Sequence, residues 1–168
     1  VYSIGNGTEE VRNPTATYFI PTEDEWYKAA YYDPNNGVYY GYPTGTDMAP
    51  YSDNPANLNT PDDSNVANID QDDVTANGYD DGFAVTGSTN FVSSQNYLTD
   101  VGAYSLATSP YGTYDQGGNV GEWNETVIGD SFRVIRGGGW SGDSHFIHAH
   151  SAFFAGPAVE YGGTGFRV

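Results

Sequence analysis

Between Tyr114 and Trp123 the chain reads Tyr-Asp-Gln-Gly-Gly-Asn-Val-Gly-Glu-Trp, a glycine-rich turn with a carboxylate near each end. Asp115 and Glu122 supply hard anionic oxygens, and the glycines let the backbone curl so that carbonyls point inward. A short segment can in this way gather the roughly six or more oxygens that Ca²⁺ prefers. A tight turn with solvated acids uses the same residues, and the spacing does not decide between the two. His145, His148 and His150 are all the histidines present. On a strand, His148 and His150 point to one side and His145 to the other. Two imidazoles on one face suit Zn²⁺ or Cu²⁺, although no third ligand is assigned; exposed or locally hydrogen-bonded rings are the plainer reading. Asp143 with His145 is a fragment of a catalytic dyad that has no activated serine beside it. Cys is absent, which removes disulfides, thiolate metal sites and a cysteine nucleophile.

Composition bounds the chemistry further. Acids outnumber bases 22 to 5, a net charge of −17. No basic stripe exists to neutralise phosphates, so nucleic acid and anionic membrane surfaces are excluded as partners. So many carboxylates repel one another on compaction, unless they are spread over solvated loops or neutralised by hard cations. The chain is 15% aromatic, with 15 Tyr and 8 Phe, which argues against disorder despite the acidity. At 168 residues it has room for a single domain over residues 1–168. No apolar run is long enough for a membrane-spanning helix. The acidity, the glycines and the sequons at Asn6 and Asn124 fit a secreted, extracellular protein. A start at Val1, without Met, reads as a mature product or a fragment.

The elements that must position these residues are few. Val1–Ile4 reads as a strand, and Thr15–Ile20 as another, stopped by Pro21. Thr22 is an N-cap followed by Glu23, Asp24 and Glu25. That capping box opens a helix with Trp26, Ala29 and Ala30 on its apolar stripe, ending at Asp33-Pro34. Residues 37–109 are mostly Gly, Asn, Asp, Ser and Thr, too long for an ordinary connection. Short strands are expected at Val38–Tyr42 and Val101–Tyr104. Tyr79, Phe83, Phe91, Tyr97 and Tyr104 favour an irregular but ordered region. Beyond it, Ser131–Arg136 reads as a strand, Gly137–Gly139 as a sharp turn, Phe146–Phe154 as a strand and Phe166–Val168 as a short closing strand.

Four segments carry a resemblance. Pro21–Ala30 (PTEDEWYKAA) resembles the PTEAEWEKAA segment of the sulfatase-modifying-factor family, typified by formylglycine-generating enzyme. Asp115–Trp123 is similar to that family's DMAGNVWEW, Arg133–Trp140 to its RVLRGGSW, and Gly165–Val168 to its GFRV. The resemblance implies an α+β fold with much irregular structure, of the C-type-lectin-like kind, held by bound calcium. It implies side-chain ligation by Asp115 and Glu122 and carbonyl ligation by Gly118 and Val120. A second implied site falls on Asn68, Ile69, Asp81 and Phe83, with carbonyls from Ile69 and Phe83. Asp70, Asp72 and Asp73 partly mimic an EF-hand loop but lack its glycine.

The resemblance places the copper-binding cysteine pair of the family's enzymes near Ser144 and Ala149, and this chain has no Cys. Its Gly121 replaces the Trp of NVWEW, and Ala152 replaces the Arg of SAYR. Formylglycine generation is therefore not expected. The resemblance also places a surface groove between Trp140 and Gly165, diversified for ligand binding in some relatives. Phe146, His148, His150, Phe153, Phe154 and Tyr161 are the candidate patch there, with simple core aromatics as the alternative. Few residues precede the helix compared with the family, so the expectation is a fragment or a chain completed by strand donation. The reading is a secreted, calcium-stabilised, non-catalytic module that binds an extracellular ligand or assembles with itself. A histidine-metal oxidoreductase is the alternative.

Overall fold

The computed structural model describes Glu10 and residues 12–168. The expected strand at 1–4 and the Asn6 sequon lie outside the described residues. The expected strand at 15–20 does not form. Asn13 Oδ1 accepts from both the Thr15 amide and hydroxyl, and the Ala16 amide donates to the Asn13 carbonyl. This side-chain turn around Pro14 takes the backbone away from a ladder.

Helix α1 (Glu23–Tyr31) begins where its capping signals place it. Thr22 Oγ1 accepts from the Glu25 amide, and the Glu25 carboxylate accepts from the Thr22 amide. Trp26, Ala30 and Tyr31 pack with Ala149 in one small core. The helix stops short of Asp33-Pro34 because Tyr32 and Asp33 form β1 (Tyr32–Asp33), antiparallel to β2 (Val38–Tyr39). The turn between them is closed by the Asp33 carboxylate, which accepts from the Asn35 amide and the Asn36 side chain.

The long glycine- and asparagine-rich region is ordered by very short ladders. Strand β3 (Tyr51–Ser52) runs parallel to β4 (Val66–Ala67), and β5 (Asp70–Asp72) pairs antiparallel with β6 (Asp81–Phe83). Ser52 Oγ bridges the carbonyls of Ile69 and Gly82, tying the two ladders together. Aromatic burial does the rest. Trp140 stacks on Tyr97 at 4.7 Å, with Phe83 and Phe91 packed around the pair. Residues 101–104 form a turn rather than the expected strand, since Gly102 has φ +79° and its amide donates to Asp115.

The largest sheet comes from the last third of the chain. Strand β7 (Gly121–Ile128) pairs antiparallel with β8 (Phe132–Arg136). A 3₁₀ turn (Ser144–Ile147) precedes β9 (Phe153–Ala155), and β10 (Thr164–Phe166) completes the set in the order β10-β7-β8-β9. Within this sheet the β10–β7 pair is parallel and the other two pairs are antiparallel. Gly137 and Gly138, with φ +88° and +61°, turn the chain out of β8. The continuous strand expected over 146–154 is replaced by the 3₁₀ turn. Asp143 Oδ1 accepts from the His145 amide as its cap, and Ser151 Oγ donates to the His145 carbonyl. The result is an α+β chain with little helix, mixed small sheets and long stretches of turn.

Candidate functional site

The turn singled out from its acids and glycines ends inside β7. Glu122 lies on that strand, 6% exposed, and its carboxylate is held by Arg167. Arg167 Nε donates to Oε2 and Nη2 to Oε1, each at 2.8 Å, while Trp26 Nε1 donates to Oε2 at 2.5 Å. Arg167 Nη2 also reaches the carbonyls of Tyr114 and Asp115, at 2.9 and 3.2 Å. One guanidinium thus brings the two ends of the turn together. Asp115, with φ +53°, accepts from the Gly102 amide at 2.5 Å. Burial pushes its carboxyl above the ordinary value, against the opposing pull of that amide and of Arg167.

These positions matter for a cation. Glu122 is paired with Arg167, whereas at Asp115 burial outweighs the pull of the Gly102 amide and of Arg167. The Asp115, Gly118, Val120 and Glu122 set offers hard oxygens, the donor type Ca²⁺ takes, but both Glu122 oxygens are already engaged by Arg167 and Trp26, which leaves Asp115 as the carboxylate able to meet a cation. Among the described residues no group of three or more His, Cys, Asp or Glu converges on a metal-sized site. A cation here would therefore depend on backbone carbonyls.

The second implied set is more committed to the protein itself. The Ile69 carbonyl accepts from the Ala84 amide and lies within hydrogen-bond reach of Ser52 Oγ. The Phe83 carbonyl accepts from the Thr86 and Gly87 amides, and Asp81 Oδ2 from the Gly78 amide. Asn68 is fully buried and bridges to Gly118, its side chain donating to the Tyr97 carbonyl and to Asn119 Oδ1. Asn68 thus belongs with the first turn more than with Asp81. Asp70 and Asp72 lie on β5 in an open hollow with Asp143 and His145. There, burial first and the neighbouring acids second raise the Asp70 carboxyl.

The histidines gather, but not on a strand. His148 and His150 rings lie 4.1 Å apart, and His145 is 4.9 Å from His150. His148 Nδ1 accepts from the His150 amide at 3.2 Å, and its ring meets Tyr42 edge-on. Burial, then the two neighbouring imidazoles, holds His148 below the ordinary value. Asp143 is spent as a cap on the His145 backbone, so the dyad reading loses its geometry.

The aromatic patch divides. Phe146, Phe153, Phe154 and Tyr161 line one cleft of about 390 Å³ over the four-stranded sheet, while His148 and His150 are not among its walls. The sheet register explains the convergence. Phe153 on β9 is opposite Ile135 on β8, and Thr164 on β10 is opposite Gly121 on β7. All four line the cleft. A Cβ at Gly121 would meet Ile135 Cγ2 at 2.9 Å, so a bulky residue there would push into the cleft wall. Gly142 leaves room for the Phe146 ring, since a Cβ there would come within 2.8 Å of it. The phenyl rings of Phe146 and Phe153 sit 5.5 Å apart, tilted by 32°, and form a corner. Aromatic composition pointed to four of these side chains, but the glycines and Ile135 that shape the cleft gave no local signal. They matter through cross-strand register, which a pattern of single residues does not carry.

The chain matches the family model described as Sulfatase-modifying factor enzyme 1-like domain over residues 3–168. No curated protein matches it significantly. Among solved structures it is similar to the crystal structure of CarF, with 21% identity and a TM-score of 0.51, covering 96% of this chain and 51% of that one. It also matches Treponema denticola variable protein 1 at 23% identity and a TM-score of 0.48, covering 88% of this chain and 45% of that one. The chain therefore spans about half the length of each. With the helix, the Asp115–Trp123 turn and the Arg-Gly-Gly strand end all inside the matched range, the chain belongs to the FGE-sulfatase family.

Proposed function

We propose that this chain is a non-catalytic, exported, calcium-stabilised member of its family, acting as a ligand-binding module on a C-type-lectin-like scaffold. The observation that carries this reading is the cleft lined by Phe146, Phe153, Phe154 and Tyr161. Its volume lies in the range of small-molecule sites, roughly 300–1,000 Å³. Large aromatic rings left in water on a solubly charged chain favour a surface built to be covered. Tyr161 and Phe154 are 59% and 55% exposed. The cysteine pair of the family's enzymes would fall near Ser144 and Ala149, and the chain contains no Cys. That leaves the groove without the thiolates the oxidation uses. Bound Ca²⁺ would supply structural charge compensation at Asp115, and chemistry on a ligand is not assigned to it.

A thermal-shift screen of small molecules against the wild type and against Tyr161→Ala and Phe153→Leu tests the reading. Hits should raise the wild-type melting temperature and lose most of that rise in both variants. Hits whose effect is unchanged in both variants would place binding elsewhere and contradict the proposal.

A further inference from the structure

We propose that the aromatic cleft selects a methylated ammonium cation, a choline-like head group. This rests on the ligand-binding reading above and adds the chemical class of the ligand. Phe146, Phe153, Phe154 and Tyr161 line the cleft together with Ile135 and glycine backbone, with the Phe146 and Phe153 rings 5.5 Å apart, and no Asp, Glu, Lys, Arg or His lines it. Of the three hydroxyls among its lining residues, on Ser141, Tyr161 and Thr164, Thr164 Oγ1 already donates to the Tyr161 carbonyl at 3.0 Å.

The charges elsewhere decide the sign of the ligand. The chain has only 5 basic residues against 22 acids. All four arginines are ion-paired: Arg12 with Glu25 and Glu125, Arg133 with Glu10, Arg136 with Glu23, and Arg167 with Glu122. The single lysine, Lys28, sits 5.7 Å over the Tyr32 ring. An anionic ligand entering the cleft would lose its hydration and find no counter-charge. A cation is drawn in by the field of a chain at −17 and meets the negative faces of the rings. A primary ammonium is strongly hydrated and would find no carboxylate among the lining residues to pair with it. A quaternary ammonium has no N–H groups, so its methyl groups take up the apolar walls while its charge meets the ring faces.

Gly142 leaves room for the Phe146 ring against the backbone, and that ring sits 5.5 Å from Phe153.

The test titrates the chain with choline, with its uncharged isostere 3,3-dimethylbutan-1-ol, and with phosphocholine, by calorimetry and amide chemical shifts. Choline should bind about tenfold more tightly than the neutral isostere, the effect expected of one or two desolvated cation–π contacts. Phosphocholine should bind more weakly than choline. Phe153→Leu and Tyr161→Leu, which keep apolar bulk, should each erase most of the preference for choline over the isostere, with the amide spectrum confirming an intact fold. Equal binding of choline and the isostere would overturn the cation proposal and leave the cleft as an apolar ligand site. Tighter phosphocholine than choline would overturn it through the charge argument. If other small molecules bind the cleft and choline does not, the proposal also falls. If nothing binds the cleft at all, the ligand-binding reading falls with it.

Discussion

Arg167 grips the Glu122 carboxylate with Nε and Nη2, each 2.8 Å from a different oxygen, across 45 residues of sequence. The same carboxylate takes the Trp26 indole N–H from α1, so one buried group ties the helix, β7 and the residue after β10 together. Removing the cation leaves Glu122 buried with its charge unpaired. Arg167→Met should therefore cost about 3–5 kcal/mol in urea denaturation. Glu122→Gln should cost less, since Arg167 keeps the Tyr114 and Asp115 carbonyls. A loss under about 1 kcal/mol for Arg167→Met would mark the clamp as an ordinary solvated pair.

Asp115 carries a prediction whose sign depends on the cation. Its folded carboxyl is raised by burial, so folding favours its protonated form. That contribution is fully present below the unfolded value of about 3.9 and is lost as pH rises through the folded value. In chelator at neutral pH, Asp115→Asn should then melt at or above the wild type, and the difference should vanish below about pH 4. With Ca²⁺ at about a hundredfold excess over Kd, the wild type should gain roughly 3 kcal/mol and the variant much less. Calorimetry in chelator and in calcium reads both arms. A full wild-type calcium response in Asp115→Asn would remove Asp115 from the ion's ligands.

The sequon at Asn124 should stay unmodified in folded protein. Asn124 is 1% exposed, and its Nδ2 donates to the Glu122 carbonyl at 2.9 Å. Mass spectrometry of material secreted from a glycosylating host should find Asn124 bare. A glycan there in natively folded, thermally stable protein would contradict the placement of β7.

The helix start gives an acid-limb prediction. The Arg12 side chain, then the Thr22 amide, lowers the Glu25 carboxyl to about 2. Stability from a lowered carboxyl is present above the unfolded value of about 4.3 and is lost as pH falls toward the folded one. Glu25→Gln should flatten that acid limb, and Thr22→Ala should cost about 1 kcal/mol at neutral pH. Melting curves from pH 5 to pH 2 check both.

The legible parts of the sequence were those fixed by local chemistry. The Thr22–Glu25 capping box set α1, and Gly137-Gly138 set the exit from β8. The unreadable parts depend on distant partners. Gly121–Trp123 reads as the end of a glycine-rich turn, yet it opens an inner strand of the sheet, because β8 and β10 lie on either side of β7. Residues 146–154 have a strand's composition, but the Asp143 cap turns their start into a 3₁₀ turn and moves His148 and His150 away from the cleft. Phe153 and Tyr161 were suspected from type alone. Their convergence with Ile135 and Gly121 required the register of the sheet.

The most direct measurement is an amide chemical-shift map recorded while a bound small molecule is titrated to saturation. Shifts should concentrate on Gly121, Gly138, Gly142, Phe153 and Tyr161, and Gly121→Trp should abolish them while the rest of the spectrum stays dispersed. Saturable shifts centred on His145, His148 and His150, or a Gly121→Trp variant that binds as the wild type does, would contradict the aromatic cleft as the working surface of this protein.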